Sequence, residues 1–299
     1  MSNETDNHYG SPDRLIASSP PVGHRETVVR FYDTHPINED EILQKLALQG
    51  KQIEQLTQRD LAQFDQDHYG GTEFLDILLD AAEVSSRHHV LDVCSGMGGP
   101  ARWTASTRGS QVTGLDFTLS RVESARRLTA LVKLDTQVDF VHGDATDMPF
   151  EPDRFDILLS QESWLHIPDK ERLISECFRV LKPGGTLAFT DIIANMALDA
   201  DTERQLAVGM HTANLATVDG YVRLIESTGA SVMRRDNISS RWKEILVDRL
   251  EMFRSLRDTT IAKFGQARFD EYDAAYSHYV DCFTSNKLGG IRIVARKSV

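Results

Sequence analysis

The clearest indication of the fold is the sequence VLDVCSGMGGPARW at residues 90–103. An apolar run ends within it, small residues follow, and Pro100 suits the first turn of a helix. Gly96, Gly98 and Ala101 match G-x-G-x-x-G/A, a turn that joins a strand to a helix and holds a nucleotide. We expect Gly96 to permit the tight turn and Gly98 to let a ligand approach the backbone. A glycine turn without any ligand produces the same pattern, so the motif alone leaves the function open.

Short apolar runs alternate with helical patterns on the C-terminal side of this turn. Because the runs are apolar almost throughout, they indicate a sheet that is buried on both faces. The alternation of strand and helix predicts a doubly wound α/β domain with a mostly parallel sheet. The predicted strands are HVLDVCS, QVTGLDF, VDFVHGD, FDILLSQE and TLAFTDII, and the predicted helices between them cover residues 100–107, 119–132 and 170–181.

Changes in composition and period divide the rest of the chain. Asn38, with Glu41 three residues on, predicts the start of a helix, and Thr72 is the expected cap of a second helix that ends at Ala82. We predict a disordered tail at 1–24, an N-terminal helical cap at 25–84, a Rossmann-like domain at 85–239, a helical insertion or lid at 240–285, and the last strand of the Rossmann-like domain at 286–299.

The bulk properties exclude several classes of protein. The formal net charge of the 299 residues is -12, so a face that grips nucleic acid is not expected. The three cysteines form no CxxC pair, which argues against a metal site and fits a reduced compartment. No apolar run approaches the roughly 20 residues that span a bilayer, and the first residues lack the apolar core of a signal peptide. We therefore expect a cytoplasmic protein without membrane insertion, and the sequence leaves a homodimer open.

Acidic residues at the ends of two further strands narrow the ligand to one that carries adenosine. Asp116 lies 20 residues after Gly96, where a carboxylate can accept the ribose hydroxyls. The alternative is an acid placed favourably at a helix N-terminus. Asp144 and Ala145 end the next strand, and an acid there can accept the adenine amino group. A nicotinamide-dependent oxidoreductase and an S-adenosylmethionine-dependent methyltransferase both remain open at this point.

Five motifs in order resemble the class I S-adenosylmethionine-dependent methyltransferases: VLDVCSGMGGPA, VTGLDF, VHGDATDMPF, FDILLSQESWLHIPDK and RVLKPGGTLAFTD. This resemblance implies a seven-stranded sheet whose last strand, in IRIVARK, runs antiparallel. It also implies S-adenosyl-L-methionine as cofactor. The implied contacts are Ser95, Gly96 and Gly98 at the methionine end, Asp116 with Phe117 beside it at the ribose, Asp144 and Ala145 at the adenine, and Gln161 beneath the ligand.

A closer resemblance joins DQDHYGG, SQESWLHIPDK and KLGGIRIVARK to the bacterial sarcosine/dimethylglycine N-methyltransferase group. It implies a small-molecule acceptor, first a small amine or amino acid derivative, with C-, S- or O-methylation as the alternative. The segment VVRFYDTHPINEDEIL has no assigned counterpart. A nicotinamide-dependent oxidoreductase and a cofactor-binding module without catalysis are the remaining rivals.

The candidate catalytic residues are His166 and Tyr69. His166 follows the fourth strand at the ligand edge and could act as a base, or could simply pack or cap a helix. By resemblance, the loop that contains His68 and Tyr69 closes over the cofactor with Tyr69 near the methyl group; the alternative is a plain turn. Trp164 could form an aromatic wall or belong to the core. The acceptor could be contacted by His211, Asn214, Tyr221 and Trp242. A carboxylate on the acceptor could be bound by Arg292 and Arg296, and a cationic substrate could pair with Glu162. Each of these residues could instead be an ordinary packing or surface group.

Overall fold

The computed structural model describes residues 23–299. Residues 1–22 of the predicted tail lie outside the described residues. The prediction that the tail extends to residue 24 is wrong at its end, because a helix already begins at His24.

Seven strands form one sheet in the order β3-β2-β1-β4-β5-β7-β6. The first five strands pair in parallel, and β7 runs antiparallel to both of its neighbours. The predicted fold class is therefore confirmed. The strands are β1 (His89–Val93), β2 (Gln111–Asp116), β3 (Val138–His142), β4 (Phe155–Gln161), β5 (Leu181–Ala194), β6 (Ser231–Asn237) and β7 (Leu288–Arg296).

This strand order creates a crevice beside β1. The chain leaves β1 to form β2 on one side and later returns to form β4 on the other side. Ligands bind at such a switch point, beyond the carboxyl ends of the strands. The carboxyl ends of β1, β2 and β4 carry the glycine turn, Asp116 and Gln161, respectively.

Residues 23–299 contain twelve α-helices. They are α1 (His24–Asp33), α2 (Glu39–Leu48), α3 (Gln58–Leu61), α4 (Gly71–Ala81), α5 (Gly99–Arg108), α6 (Leu119–Leu131), α7 (Lys170–Val180), α8 (Ala200–Gly209), α9 (Val218–Ser227), α10 (Ser239–Ser255), α11 (Arg257–Phe264) and α12 (Gln266–Thr284).

Local caps explain where the N-terminal helices begin. The Asn38 side chain accepts a hydrogen bond from the Glu41 backbone N–H, so α2 starts as the sequence predicts. The predicted cap of α4 is wrong: Gly70, at φ +83°, precedes the helix, and Thr72 lies inside it. A Cβ atom at position 70 would lie 2.3 Å from the Phe74 ring, so only glycine fits this turn.

Helices cover both faces of the sheet and bury its apolar residues. On one face α4, α5 and α6 pack their apolar sides against β1, β2 and β3. On the other face α7 and α9 cover β4 and β5, around Phe189 and Leu173. The helices α8, α10 and α12 form a third cluster with Trp242 at its centre. This cluster stands over the carboxyl end of the sheet and supplies one wall of the site described next.

Candidate active site

The glycine turn after β1 bends because two of its glycines have left-handed backbones. Gly96 has φ +53°, and the space where its side chain would lie is open. Gly98 has φ +76°, and a Cβ atom there would lie 2.3 Å from Cζ of Phe140. The prediction that Gly98 lets a ligand approach is therefore wrong. A side chain is excluded at this position because Phe140 of β3 fills the space. Gly96 lines the cavity, whereas Gly98 does not.

Two carboxyl groups lie beside this turn, the buried Asp92 and the half-buried Asp116. Asp116 accepts hydrogen bonds from the backbone N–H groups of Gly96 and Thr118, both at 2.8 Å. Burial raises the pKa of Asp116 above its usual value. Burial and then the charge of Asp116 raise the pKa of Asp92 to about 8. The Asp92 Oδ2 atom has no hydrogen-bond partner among the described residues. This oxygen can therefore accept a hydrogen bond from a bound ligand or contact a cationic group of that ligand.

The end of β3 lies under the first helix. Asp144 accepts hydrogen bonds from the backbone N–H and the hydroxyl of Thr146. Its other carboxylate oxygen forms an ion pair with Arg25. The Arg25 guanidinium lies 5.4 Å from the centre of the Phe117 ring, and Ala145 is buried next to Asp144. Helix α1 therefore covers the region that the sequence assigns to the adenine.

Polar side chains at the end of β4 form a short chain of hydrogen bonds. The Gln161 Nε2 atom donates to His68 Nδ1 at 3.2 Å, and His68 Nε2 then donates to Gln66 Oε1 at 2.8 Å. Burial lowers the pKa of His68 to about 4, so this imidazole is neutral at physiological pH. The next residue, Glu162, has φ +53° and accepts a hydrogen bond from the Tyr69 backbone N–H at 2.6 Å.

Tyr69 connects the β4 end to the helical cluster. Its hydroxyl lies 3.1 Å from the hydroxyl of Tyr279, and its ring meets Trp242 edge-on with centroids 5.3 Å apart. The guanidinium of Arg249 lies 4.8 Å from the centre of the Tyr69 ring. The loop that contains Tyr69 is thus fixed over the sheet by α10 and α12.

His166 and Tyr32 form a hydrogen-bonded pair across the cavity. Because the carbonyl oxygen of His211 can only accept, His166 Nδ1 carries the proton that it donates to that oxygen at 3.0 Å. His166 Nε2 is then free of a proton and accepts the hydrogen bond from the Tyr32 hydroxyl at 3.0 Å. Burial lowers the pKa of His166 to about 4 and raises the pKa of Tyr32 above its usual range. Arg121 holds Tyr32 in place by donating to its backbone carbonyl at 2.7 Å.

Tyr32 belongs to a helix that the sequence analysis did not predict. Its face toward the cavity carries His24, Val28, Phe31 and Tyr32. These residues recur at intervals of three and four, which is the period of one helical face. That spacing of aromatic and histidine side chains was the available signal.

For several candidate acceptor contacts the structure agrees with the packing or surface alternative. Trp164 is buried in the core and stacks on Phe189 with ring centroids 4.2 Å apart, so it forms no wall for a substrate. Tyr221 and Trp242 are buried in the core as well. Arg292 forms an ion pair with Asp236 on the neighbouring strand, at 2.8 Å. Arg296, half-exposed, lies 3.8 Å from Glu83. His211 contributes its backbone carbonyl to His166, Asn214 donates to the Pro168 carbonyl, and neither arginine lines the cavity.

One cavity of about 1180 Å³ brings most of the predicted site residues together. Its buried polar atoms without a partner in the described part of the chain include Ser95 Oγ and Gln161 Oε1 as well as the Asp92 oxygen. Within residues 23–299, no group of three or more His, Cys, Asp or Glu side chains is arranged to hold a metal ion. The predicted residues that line the cavity are Tyr69, Ser95, Gly96, Asp116, Phe117, Asp144, Ala145, Gln161 and His166.

Residues 91–189, which contain the glycine turn and the strand ends described above, match the family model of a methyltransferase domain. The chain carries a class I S-adenosylmethionine-dependent methyltransferase domain. The family predicted from the five motifs is thereby confirmed. Across residues 23–299, no helix combines the length and apolar character needed to cross a membrane.

The relatives of this chain differ in the acceptors that their names state. It is 33% identical to the methyltransferase GfsG of Streptomyces halstedii, over 57% of this chain and 63% of the relative. It is 27% identical to the 27-O-demethylrifamycin SV methyltransferase of Amycolatopsis mediterranei, over 76% of this chain and 83% of the relative. A glycine/sarcosine/dimethylglycine N-methyltransferase of Actinopolyspora halophila is 29% identical over 52% of this chain, but the match covers only 28% of that protein.

Solved structures share the fold. Phosphoethanolamine N-methyltransferase 2 of Haemonchus contortus superposes with a TM-score of 0.72 at 23% identity, over 95% of this chain and 61% of that one. The chain spans less than two thirds of several of these relatives, so their acceptors do not transfer to it directly.

Proposed function

We propose that this protein transfers a methyl group from S-adenosyl-L-methionine to a hydroxyl group of a small molecule. The observation that carries the proposal is the Tyr32–His166 pair, which lines the same cavity as Gly96 and Asp116. A hydroxyl acceptor must lose a proton as it is methylated, and the pair offers a neutral imidazole nitrogen with a phenol between it and the cavity.

The residues present fit the cofactor. Bound S-adenosyl-L-methionine supplies an electrophilic methyl group on a sulfonium. Its positive charges would stabilise the ionised forms of Asp92 and Asp116, whose pKa values burial raises. Asp116 would accept the ribose hydroxyls and Asp144 the adenine amino group, beside Phe117. The methionine end would be held by the side-chain oxygen atoms of Ser95 and Gln161, which have no partner among the described residues. Gly96 would leave space for it, because no atom lies where a side chain would be.

The Tyr32–His166 pair can take up the proton that the acceptor loses. As the acceptor oxygen bonds to the methyl group, the methyl–sulfur bond would break and S-adenosylhomocysteine would leave. The proton of the acceptor becomes strongly acidic in this step and passes to the Tyr32 oxygen. The Tyr32 proton moves at the same time to His166 Nε2, which already accepts its hydrogen bond. The His211 carbonyl stabilises the resulting imidazolium through Nδ1. A weak base suffices here, because the proton becomes acidic only as the new bond forms.

The name of the 27-O-demethylrifamycin SV methyltransferase relative supports a hydroxyl acceptor. Methylation of a small amine is the second candidate. The buried Glu162 carboxyl lines the cavity and would pair with an ammonium group, and the N-methyltransferase relative agrees with this choice. The sequence-based preference for an amine thus remains a prediction.

The test is Tyr32→Phe, with methyl transfer from radiolabelled S-adenosylmethionine measured on a panel of alcohols, phenols and amines. We expect kcat on the best alcohol to fall by about 100-fold or more, which is the usual contribution of general base catalysis. The dissociation constant of S-adenosylhomocysteine should stay within twofold. Ser120→Ala is the matched control, because it removes another hydrogen bond to α1, the one to Asp33, without touching the pair.

Unchanged turnover in Tyr32→Phe would overturn the role of the pair. Methylation of amines, without methylation of alcohols or phenols, would favour the second candidate, an amine acceptor. Tight binding of S-adenosylhomocysteine without turnover on any member of the panel would favour a binding module instead.

A further inference from the structure

A row of tyrosine rings leads out of the reaction centre along α12. Tyr272, Tyr276 and Tyr279 follow one another at spacings of four and three residues, so they share one face of the helix. The ring centroids are 5.6 Å apart for the first two residues and 6.1 Å apart for the last two. All three residues line the cavity. Seven residues at the helical rise of about 1.5 Å per residue make this wall about 10 Å long.

The wall is continuous at both ends. At its inner end the Tyr279 hydroxyl contacts Tyr69, whose backbone N–H is bound by Glu162 at the end of β4. At its outer end the Phe253 ring lies 4.7 Å from Tyr272. Met252 is 59% exposed and also lines the cavity, so the opening of the wall is apolar. An exposed apolar rim around a cavity marks a surface that an apolar ligand covers.

A positive charge already lies beside the inner end of the wall. Arg249 lies over the face of Tyr69 and donates to the His68 carbonyl at 2.9 Å, and it lines the cavity. Its positive charge partly offsets the effect of burial on Glu162. The ring face nearest the reaction centre is therefore already covered by a cation. A second cation at this point would meet the like charge of Arg249, so the wall suits an uncharged molecule better than an ammonium ion.

The size of the cavity points the same way. Pockets that hold one ligand commonly measure about 300–1,000 Å³. The cavity here, about 1180 Å³, exceeds that range and has room for an acceptor of considerable size next to the cofactor. An acceptor of a few atoms would leave the tyrosine wall in contact with water.

We propose that the acceptor is an uncharged, elongated and mainly apolar alcohol or phenol that lies along the wall formed by Tyr272, Tyr276 and Tyr279. Its hydroxyl group points to Tyr32, and its apolar body extends about 10 Å to the rim at Met252. This inference rests on the proposed function for the identity of the reacting group. The length and polarity of the acceptor follow from the wall itself.

The test measures binding to protein saturated with S-adenosylhomocysteine, using isothermal titration calorimetry. The probes are 4-phenylphenol, which is long enough to cover the wall, phenol, which covers only its inner end, and zwitterionic dimethylglycine. We expect 4-phenylphenol to bind at least tenfold more tightly than phenol and dimethylglycine to bind most weakly. Met252→Asp should weaken the binding of 4-phenylphenol at least tenfold and the binding of phenol less than threefold.

Ser255→Asp is the matched control, because it adds the same charge at an exposed position of α10 that does not line the cavity. It should change each dissociation constant less than twofold, and no variant should change the affinity for S-adenosylhomocysteine. Tighter binding of dimethylglycine than of 4-phenylphenol, or equal affinities in the native protein and Met252→Asp, would overturn the proposal. These readouts need no turnover, so a failure of methyl transfer to alcohols would refute the proposed function separately.

Discussion

The buried carboxyl group of Asp92 should make cofactor binding depend on pH. Its pKa is raised to about 8, first by burial and then by the neighbouring Asp116. A ligand that brings an ammonium group into this site prefers the ionised carboxylate. Below pH 8 the free protein must therefore release a proton when the ligand binds, and the affinity rises as the pH rises.

The size of the effect follows from the ionised fraction of Asp92. With a pKa of about 8, roughly 1% of the free molecules carry the carboxylate at pH 6 and roughly 24% at pH 7.5. The dissociation constant of S-adenosylhomocysteine should thus fall about 25-fold between these two pH values. The raised pKa of Asp116 acts in the same direction.

Calorimetry in buffers with different ionisation enthalpies measures both the dissociation constant and the number of protons released. Asp92→Asn should bind the ligand more weakly at pH 7.5 and lose most of the pH dependence. Asp147→Asn is the matched control, because this aspartate is exposed and does not line the cavity. A dissociation constant that stays constant from pH 6 to 7.5 in the native protein, with no proton release, would refute the reasoning.

Two further predictions concern the packing around the glycine turn. For both, the free energy of unfolding is measured by thermal or urea denaturation. Gly98→Ala should destabilise the protein by about 2–4 kcal/mol, because the new Cβ atom clashes with Phe140 and alanine is strained in a left-handed backbone. Gly96→Ala should destabilise it by about 1–2 kcal/mol, because its Cβ atom meets open space and only the backbone strain remains. Equal losses would contradict the packing role of Gly98. Arg102→Gln should destabilise by about 3–5 kcal/mol, because it leaves the fully buried carboxylate of Asp65 without its ion pair, and a loss below 1 kcal/mol would contradict that account.

The cofactor half of the site was predictable because its residues follow directly from strand ends. Asp116 and Asp144 end neighbouring parallel strands, and such ends must meet at one edge of the sheet. The reason assigned to Gly98 was wrong because the atom that excludes a side chain there belongs to Phe140, on a strand 42 residues further along the chain. A local motif shows that a side chain is forbidden but does not show what forbids it.

The acceptor half was less predictable because its contacts lie far apart in sequence. Tyr32 and His166 are 134 residues apart, and their pairing depends on how α1 docks. None of the ten residues of that helix is fully buried, and its sequence shows no strong apolar pattern. Trp164 could not be assigned from the sequence, because a large aromatic residue next to a predicted base fits a substrate wall as well as the core. In the structure its ring fills the space against Phe189.

The way in which α1 docks explains how one chain can combine a standard cofactor site with a particular acceptor. The helix is held by polar contacts, such as the ion pair of Arg25 with Asp144 and the hydrogen bond of Ser120 with Asp33. Surface contacts of this kind contribute about 0–1 kcal/mol each, so they place the helix without dominating the stability of the domain. Replacing the face that carries Tyr32 would therefore change the reacting group while the sheet stays intact. The cofactor site is constrained by the sheet, whereas the acceptor site is set by helices that the sheet merely supports.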